Sequence, residues 1–245
     1  MKINSTNVLN IPVAQINKKN LEKIFLSKLN NSEKKNFFHI ATVNPEFLVL
    51  AQKNEKFKKI LQNTDINICD GIGISILNKI FYNKKIPRIT GVSIAEKLCE
   101  LCEKNNKKIF FIGGFGVAKT AAEKIQKKFP NLKIVGAIDG DPNILDKKIL
   151  DANPDVILVC FGAPKQEFWI DKFGKKIPNL KIIGGFGGTL DFWANKISRA
   201  PLIFQKLGLE WLFRLFLEPK KRIKRIFNAV FVFSFLFIKN FLKKK

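Results

Sequence analysis

Short apolar runs alternate with helical patterns through the first 195 residues of the chain. The runs predict buried strands at residues 37–43, 66–69, 108–112, 132–138, 155–160 and 180–183. Helical patterns between them predict helices opening at residue 44 and spanning residues 72–81, 92–104, 117–128, 144–152 and 164–173. Continuous apolar strands, bounded by glycines and separated by helices, are typical of a parallel sheet covered on both faces. We therefore predict an α/β fold, a Rossmann-like and mainly parallel sheet with helices on both faces.

The pattern changes after Asn195, where strand signals end. Polar residues then recur at steps of four, at Lys206, Glu210, Arg214 and Glu218, and predict one helix through residues 202–217. We accordingly predict a catalytic α/β domain over residues 1–195 and a helical, basic and aromatic C-terminal appendage over residues 196–245.

The C-terminal end combines charge with aromatic residues. Residues 226–238 hold five phenylalanines and no charge, and the 32 residues from Arg214 onward carry ten Lys and Arg against one acid. Thirteen helical residues extend about 20 Å, against a hydrocarbon core of about 30 Å. This length predicts a peripheral, interfacial membrane anchor and not a membrane span. A buried core helix or an interface in a homo-oligomer are the alternatives.

The composition narrows the class of partner. The chain of 245 residues has a net charge of +24, which favours an anionic partner, although a Lys- and Asn-rich composition accounts for part of it. A nucleic-acid-binding protein would interleave basic and aromatic residues on its body, whereas here the densest charge flanks the apolar tail, so we expect an anionic membrane surface and no nucleic acid.

The first nine residues lack a signal-peptide pattern. The four cysteines read as buried, reduced thiols.

Candidate chemistry lies in the loops that follow the predicted strands, where parallel sheets bind ligands. Asp70 ends a strand and precedes Gly71 and Gly73, so it can act as a general base, although Asp-Gly is also a common turn. The glycine loop at residues 113–116 resembles a phosphate cradle at a helix start, with Asp139 where a ribose-binding acid would lie. Lys119 breaks the dinucleotide fingerprint, which argues against a nucleotide-dependent oxidoreductase.

Two further features have ordinary structural explanations. The loop at residues 161–167 places a cation, an amide and an acid at a helix start, where helix capping explains such residues equally well. His39, the only histidine, lies inside a predicted strand and is expected to be a core residue. Catalysis by Ser-His-Asp or Cys-His groups is therefore disfavoured.

An ordered set of motifs covers most of the chain and is similar to the WecG/TagA/CpsF glycosyltransferases, glycosyltransferase family 26. Any one of the motifs is common, but their order is specific. The motifs are Ala41-Thr42-Val43-Asn44-Pro45-Glu46, Asp70-Gly71-Ile72-Gly73, Pro87-Arg88-Ile89-Thr90-Gly91, Phe111-Ile112-Gly113-Gly114, Phe161-Gly162-Ala163-Pro164-Lys165-Gln166-Glu167, Gly184-Gly185 with Asp191-Phe192, Arg199-Ala200-Pro201, Gly208-Leu209-Glu210-Trp211-Leu212, Arg214-Leu215 and Glu218-Pro219.

The resemblance implies an enzyme that inverts the anomeric centre of a sugar. Such enzymes transfer an N-acetylhexosamine-type sugar, N-acetylmannosamine or its uronic acid, from a UDP-sugar to a polyprenyl-diphosphate-linked GlcNAc. They act at the cytoplasmic face of the plasma membrane, in teichoic acid or surface polysaccharide synthesis. The UDP-sugar is a substrate, and no cofactor or metal is expected. A scaffold without catalysis is disfavoured because the polar loop residues are retained.

The resemblance also implies roles for individual residues. Asp70 matches the general base, and Thr42 a polar catalytic residue. The expected substrate-binding residues are Asn44, Arg88, Gln166, Gly113, Gly114, Lys165, Gly187, Gly188 and Asp191. The residues expected to contact the lipid or the departing diphosphate are Arg214, Arg222 and Arg225. Asn195 departs from the family pattern, which usually has Gly there, but Asn tolerates a left-handed backbone.

Overall fold

The computed structural model describes residues 3–31 and 37–243, without the side chain of Lys221. The outer limits of both predicted domains, at residues 1 and 245, lie outside these ranges. The strands are β1 Ser5–Val8, β2 Ile11–Ala14, β3 Phe38–Val43, β4 Ile66–Cys69, β5 Lys108–Gly113, β6 Lys133–Ile138, β7 Val156–Cys160 and β8 Ile182–Gly185. The helices are α1 Lys18–Asn30, α2 Pro45–Lys53, α3 Glu55–Asn63, α4 Ile72–Tyr82, α5 Gly91–Lys104, α6 Ala118–Lys128, α7 Lys147–Ala152, α8 Lys165–Phe173, α9 Thr189–Trp193, α10 Leu202–Leu207, α11 Glu210–Leu217, α12 Pro219–Phe227 and α13 Phe233–Leu242.

Six strands form one sheet in the order β4-β3-β8-β7-β5-β6, and every pair in it is parallel. The predicted α/β fold is therefore confirmed, and all six predicted strands are present. Their carboxyl ends lie along one edge: Val43 pairs with Cys69, Ala41 with Gly185, and Gly113 with Cys160. The loops that follow these strands are thereby gathered at one edge of the sheet.

Both faces of the sheet are covered by apolar layers. One core cluster joins it to α1, α5, α6 and α9, and two others join it to the β1–β2 hairpin, α2, α3, α4, α7 and α8. The four cysteines are free and buried, as predicted. His39 lies buried in β3, where burial lowers its pKa to about 4, as expected for a core histidine.

Local side-chain capping decides where two predicted helices begin. Asn44 caps α2 by accepting a hydrogen bond from the backbone N–H of Phe47 at 3.1 Å, as predicted. The helix predicted over residues 144–152 begins only at Lys147, so its first three residues were assigned wrongly. The Asp146 carboxylate caps this helix by accepting from the backbone N–H of Lys148 at 2.9 Å.

The first 65 residues contain elements that the apolar pattern did not predict. The β1–β2 hairpin turns at Leu9 and Asn10, both with positive φ, and Leu is an unusual residue in such a turn. The side chain of Asn67 in β4 donates to the Pro12 carbonyl at 3.0 Å, which fixes the hairpin beside the edge of the sheet. Asn17 and Asn54 cap the unpredicted helices α1 and α3.

The helix predicted through residues 202–217 is wrong as a single element, because it breaks at Gly208. Gly208 adopts a φ of 74° and ends α10, and α11 then begins at Glu210. The break brings Glu210 back to Arg199, whose Nε donates to its carboxylate at 2.9 Å. Asn195 adopts a φ of 59°, so it does supply the left-handed turn expected of it.

The C-terminal helix is longer than the apolar pattern indicated. Helices α12 and α13 run on through a π-helical turn, Asn228–Val232, and the stretch Arg222–Leu242 is long and apolar enough to cross a membrane. The prediction that this segment is too short to span was wrong, since the helix continues past its uncharged residues in both directions. Helices that pack on a protein body have the same length and composition.

This helix, which we call the C-terminal helix (residues 219–242), rests on the body of the protein. Phe233 and Phe237 are buried in the cluster that contains α2 and α4. The Phe237 ring also packs on Phe81 and Tyr82 at the end of α4, with centroids 5.8 and 5.7 Å away. The opposite side remains exposed, including Phe231 and Phe235 at 64% each.

Candidate active site

Asp70 and Thr42 lie side by side at the carboxyl edge of the sheet. Thr42 is the penultimate residue of β3, and Asp70 directly follows β4, where its backbone N–H donates to the Val43 carbonyl at 2.8 Å. A β-carbon at Gly91 would lie 3.4 Å from Thr42 Oγ1 and 3.6 Å from Asp70 Oδ2. The first residue of α5 thus separates the two side chains without a side chain of its own.

The protein environment raises the pKa of the Asp70 carboxyl to about 6, chiefly because burial disfavours its charged form. Arg88, a backbone hydrogen bond from Gly91 and Arg199 lower the pKa, whereas Glu210 raises it. The carboxyl still reaches partly accessible surface, because Asp70 is only half-buried by surface area. A carboxylate with this pKa is mostly ionised at neutral pH and can accept a proton from a hydroxyl.

Arg88 joins the Asp70 loop to the C-terminal segment. Its Nε donates to the Asp70 carbonyl at 2.8 Å, and its Nη1 donates to the Gln205 carbonyl at the end of α10 at 3.0 Å. Gly208 also contacts Ile72, the residue that begins α4 after the Asp70 loop. A β-carbon at Gly208 would lie 2.8 Å from the Ile72 Cβ. Residues beyond 195 therefore form one wall of the candidate site.

Sequence reasoning assigned no role to Arg199, Gln205 or Glu210, although Arg199 and Glu210 lie within the family motifs. Arg199 donates from Nε to Glu210 at 2.9 Å and from Nη2 to the Gln205 side chain at 2.7 Å. The charges of Arg199 and Glu210 both act on the Asp70 carboxyl. Only the break at Gly208 reveals this cluster, because a continuous helix would carry Glu210 away from Arg199.

The Thr42 hydroxyl is buried and donates to the Gly185 carbonyl at the end of β8, at 2.9 Å. Its oxygen lone pairs can still accept a hydrogen bond from a substrate hydroxyl. The buried side chains of Gln166 and Glu167 lie on the other side of Gly185. A β-carbon at Gly185 would be 2.6 Å from Glu167 Oε1 and closer still to Gln166 Nε2. Gly185 is therefore the contact point between Thr42 and the start of α8.

Gln166 ties two site loops together. Its Oε1 accepts from the backbone N–H groups of Gly162 at 3.1 Å and Gly187 at 3.0 Å, and its Nε2 donates to Glu167 Oε1 at 2.7 Å. The side chain is fully buried. The expected substrate contact of Gln166 stays a prediction, and its observed hydrogen bonds position the loops after β7 and β8.

Glu167 is a buried acid that sequence reasoning treated as a helix-start residue. It has no exposed surface, and burial raises the pKa of its carboxyl to about 7, against a lowering by the Gln166 hydrogen bond. Its Oε2 has no hydrogen-bond partner among the described residues. A carboxyl so placed is favoured in its neutral form.

The glycine loop after β5, predicted as a phosphate cradle, leads into a helix start that already holds a protein acid. The Asp139 carboxylate accepts from the backbone N–H groups of Val117 and Ala118 at 3.1 and 3.2 Å, so a protein acid already occupies the start of α6. Asp139 thus caps α6 through one carboxylate oxygen, and its expected ribose contact stays a prediction. Gly113 and Gly114 permit close packing, since a β-carbon would lie 2.6 Å from the Cys160 backbone or 3.1 Å from Leu190.

Asp191, in the short helix α9, lies among basic side chains. Burial, and to a smaller extent the charge of Glu218, raises the pKa of its carboxyl. The positive charges of Lys196, Arg214 and Arg222 lower this pKa. Lys196 Nζ lies 3.8 Å from Asp191 Oδ1 and also donates to the Phe115 carbonyl at 3.0 Å. Asp191 and the glycine loop are therefore joined through one lysine.

The three arginines predicted to contact lipid or diphosphate lie on the wall formed by the C-terminal segment and are paired with acids. Arg222 donates to Glu218 at 3.1 Å, and Arg214 lies 3.7 Å from the same carboxylate with its guanidinium over the Phe192 ring. Arg225 forms a fork on Glu46 in the first turn of α2, at 2.7 to 2.9 Å. The structure brings Arg214 and Arg222 together beside Asp191 and ties Arg225 to α2.

The remaining predicted site residues flank the same edge. The Oδ1 of Asn44 is engaged in the α2 cap, and Lys165 is exposed at the start of α8. Gly187 and Gly188 precede α9, and the Cβ position of Gly187, at a φ of 51°, faces open space. Predicted residues from six separate loops are therefore gathered at one edge.

Comparison with known proteins shows the family of this chain. The Glycosyl transferase WecG/TagA/CpsF family matches residues 6–245. A Bacillus subtilis (strain 168) protein is 35% identical over 184 residues, covering 74% of this chain and 72% of the relative, and a Staphylococcus aureus (strain NCTC 8325) protein is 28% identical over 231 residues, covering 92% and 88%. Both are named N-acetylglucosaminyldiphosphoundecaprenol N-acetyl-beta-D-mannosaminyltransferase. The chain belongs to the WecG/TagA/CpsF glycosyltransferase family.

Proposed function

We propose that this protein is an inverting glycosyltransferase, which moves N-acetylmannosamine or its uronic acid from a UDP-sugar to a polyprenyl-diphosphate-linked GlcNAc. The names of the relatives support the lipid-linked acceptor and the transferred sugar. The observation that carries the proposal is Asp70: a carboxyl with a pKa of about 6, at the edge of the sheet where the loops of the family motifs meet. The product would serve teichoic acid or surface polysaccharide synthesis.

In the proposed reaction the Asp70 carboxylate takes the proton of the attacking GlcNAc hydroxyl. That oxygen forms a bond to the anomeric carbon while the bond from this carbon to the UDP oxygen breaks, with inversion. The negative charge leaves on the UDP diphosphate, for which Arg214 and Arg222, whose charges act on Asp191, are the candidate cations. Thr42 accepts a hydrogen bond from the sugar, and Arg88 holds the Asp70 loop against residue 205.

We place the protein at the cytoplasmic face of the plasma membrane, held peripherally by the exposed apolar side of its C-terminal helix. Phe233, Phe237 and the Arg225–Glu46 fork keep the other side of this helix on the body, and a membrane span would have to break all of these contacts. The adjoining lysines and arginines suit anionic lipid headgroups. We expect no nucleic acid, cofactor or metal to take part, and a homo-oligomer remains part of the proposal.

The decisive experiment supplies a panel of UDP-N-acetylhexosamines and a short-chain polyprenyl-diphosphate-GlcNAc, and detects a lipid-linked disaccharide by mass spectrometry. We expect transfer from UDP-N-acetylmannosamine or its uronic acid and its loss in Asp70→Asn. An Asp70→Asn variant as fast as the parent would refute the assignment of the base. Failure of every donor with the parent protein would refute the transferase activity itself.

A further inference from the structure

Phe115 is held in a backbone conformation that its residue type disfavours. Residues 113–116 all have positive φ, at 109°, 93°, 45° and 87°, and Phe115 is the single residue of these four that is not glycine. The other residues with positive φ in the described ranges are glycines, asparagines and Leu9, and Leu9 is only 5% exposed. Left-handed φ at a bulky side chain costs free energy that the surroundings must offset.

Packing inside the protein does not offset this cost, because the Phe115 ring is 64% exposed. The backbone is nevertheless held after the ring: Lys196 donates to the Phe115 carbonyl at 3.0 Å, and the Asp139 carboxylate accepts from the N–H groups of Val117 and Ala118. The Cβ position of Gly116 has no neighbour within 4 Å, so space is open beside the ring. A rigid loop thus presents an aromatic face to solvent.

The position of this ring relative to the proposed chemistry fits one end of the donor. Phe115 follows β5, and the sheet order β3-β8-β7-β5 places that strand three positions from the strand of Thr42. Three strand spacings amount to about 14 Å. A sugar nucleotide bridges a comparable distance between its anomeric carbon and its base. Lys196, which donates to the Phe115 carbonyl, lies 3.8 Å from Asp191, and the charges of Arg214 and Arg222 act on the same carboxylate.

We propose that Phe115 is the stacking platform for the pyrimidine base of the nucleoside-diphosphate donor. The inference rests on the proposed function and adds to it the residue that holds the nucleotide end. Aromatic side chains stack on bases through their faces and need no hydrogen bonds to do so. The strained loop therefore exchanges some stability of the fold for a preorganised binding surface.

The test compares Phe115→Asn with Phe115→Trp, using UDP as the probe in isothermal titration calorimetry and thermal unfolding as the second readout. Asn adopts positive φ more readily than Phe, so Phe115→Asn should raise the Tm. The same variant should weaken UDP binding roughly 5- to 150-fold, as for loss of one base–aromatic stack. Phe115→Trp should keep UDP binding within about threefold, because it retains a stacking face. Inorganic pyrophosphate has no base, so it should compete with UDP for binding with the same affinity in Phe115→Asn and Phe115→Trp.

Phe231→Asn is the matched control, because Phe231 is also 64% exposed but lies on the C-terminal helix. It should leave UDP binding unchanged. Parent protein that binds UDP while Phe115→Asn binds it equally well would overturn the stacking inference alone. Parent protein that binds no UDP would overturn this inference together with the proposed donor. Equal weakening of UDP and pyrophosphate binding by Phe115→Asn would also overturn it, since the loop would then act on the phosphates.

Discussion

At the scale of single residues, the pKa of Asp70 makes the first prediction. The base form exists above a pKa of about 6, so kcat/KM should fall as the pH drops below 6. Asp70→Asn should lower kcat/KM about 10²–10⁴-fold above pH 6 and abolish this limb of the profile. Initial rates of disaccharide-lipid formation between pH 5 and 8.5 measure both effects. Asp141→Asn, an exposed acid after β6 at the opposite end of the sheet, serves as the control. A pH limb that survives in Asp70→Asn would assign the titration to another group.

Glu167 gives a second prediction, on stability. Its folded-state pKa of about 7 lies above the ordinary 4.5, so folding favours the protonated form. Its contribution is therefore complete below about pH 4.5 and is lost as the pH rises through 7, at a cost of roughly 3 kcal/mol in unfolding free energy. Glu167→Gln keeps a neutral side chain at all pH values and should reduce this loss. Urea unfolding at pH 5 and 8.5 measures the difference.

Glu123→Gln provides the matched control, because Glu123 is exposed on α6. It should change the pH dependence of stability by only a few tenths of a kcal/mol. If Glu167→Gln and Glu123→Gln respond identically to pH, the buried carboxyl does not titrate in this range. The raised pKa of Asp70 also lowers the unfolding free energy as the pH rises. Both variants keep Asp70, so this loss cancels when they are compared.

The sequence located the candidate residues better than it described their contacts. Asp70 could be found because a strand end followed by Gly-x-Gly is visible in the chain. The hydrogen bonds of Gln166 to Gly162 and Gly187 could not, because they depend on how the loops after β7 and β8 meet. Asp139 shows the same limit: its distance from Val117 follows from the pairing of β5 and β6, not from spacing along the chain.

At the scale of elements, Gly208 controls how the C-terminal segment meets the active-site loop. Its φ is 74°, and a β-carbon would lie 2.8 Å from Ile72 Cβ. Gly208→Ala should therefore cost about 1–2 kcal/mol for the left-handed backbone and more for the clash. We expect a lower Tm and reduced transfer, because the turn between α10 and α11 must move away from Ile72.

Gly162→Ala separates the two costs of this substitution. Gly162 also has a positive φ, at 79°, but its Cβ position has no neighbour within 4 Å. It should show the backbone cost alone, so Gly208→Ala should lower the unfolding free energy further than Gly162→Ala. Equal losses in chemical denaturation would mean that the turn moves freely and is not seated on Ile72.

Elements buried on both faces were predictable, and elements defined by turns were not. The six sheet strands are continuous apolar runs, such as residues 156–160, because both faces of the sheet are covered. The hairpin was missed because Leu9 gives no turn signal, and the helix at 202–217 was drawn too long because its polar stripe continues across Gly208. Periodicity reports which face is polar, but one left-handed glycine redirects the chain.

At the scale of the whole molecule, charge and apolar surface coincide on the C-terminal segment. Helices α10 to α13 expose Leu202, Ile203 and Phe216 at 70–74%, besides the phenylalanines of the C-terminal helix. The same segment forms a wall of the candidate site through Gln205 and Gly208. A membrane contact through this segment would therefore place the candidate site close to a lipid-linked acceptor, which is the physical reason to expect binding and catalysis to be coupled.

This coupling predicts that acidic residues introduced on the exposed side of the C-terminal helix should abolish liposome binding without unfolding the body. Phe231→Glu/Phe235→Glu places two acids on the exposed side and leaves Phe233 and Phe237 buried. The parent should sediment with vesicles that contain anionic lipid, more weakly at high salt, and the double variant should remain in the supernatant. Ile144→Glu, which changes a 57%-exposed residue outside the C-terminal segment, should bind like the parent.

A second readout decides whether the helix lies on the membrane or crosses it. Alkaline carbonate should release the parent from vesicles. This treatment detaches a helix that is held only by one apolar face and by charge, whereas a membrane-spanning helix stays in the bilayer. Transfer to a detergent-dispersed short-chain acceptor should survive in Phe231→Glu/Phe235→Glu, because Asp70 and its neighbours are untouched, while transfer to acceptor embedded in vesicles should fall. Equal loss with both acceptors would show that these phenylalanines support the site itself, and carbonate-resistant binding would show that Arg222–Leu242 leaves the body and enters the bilayer.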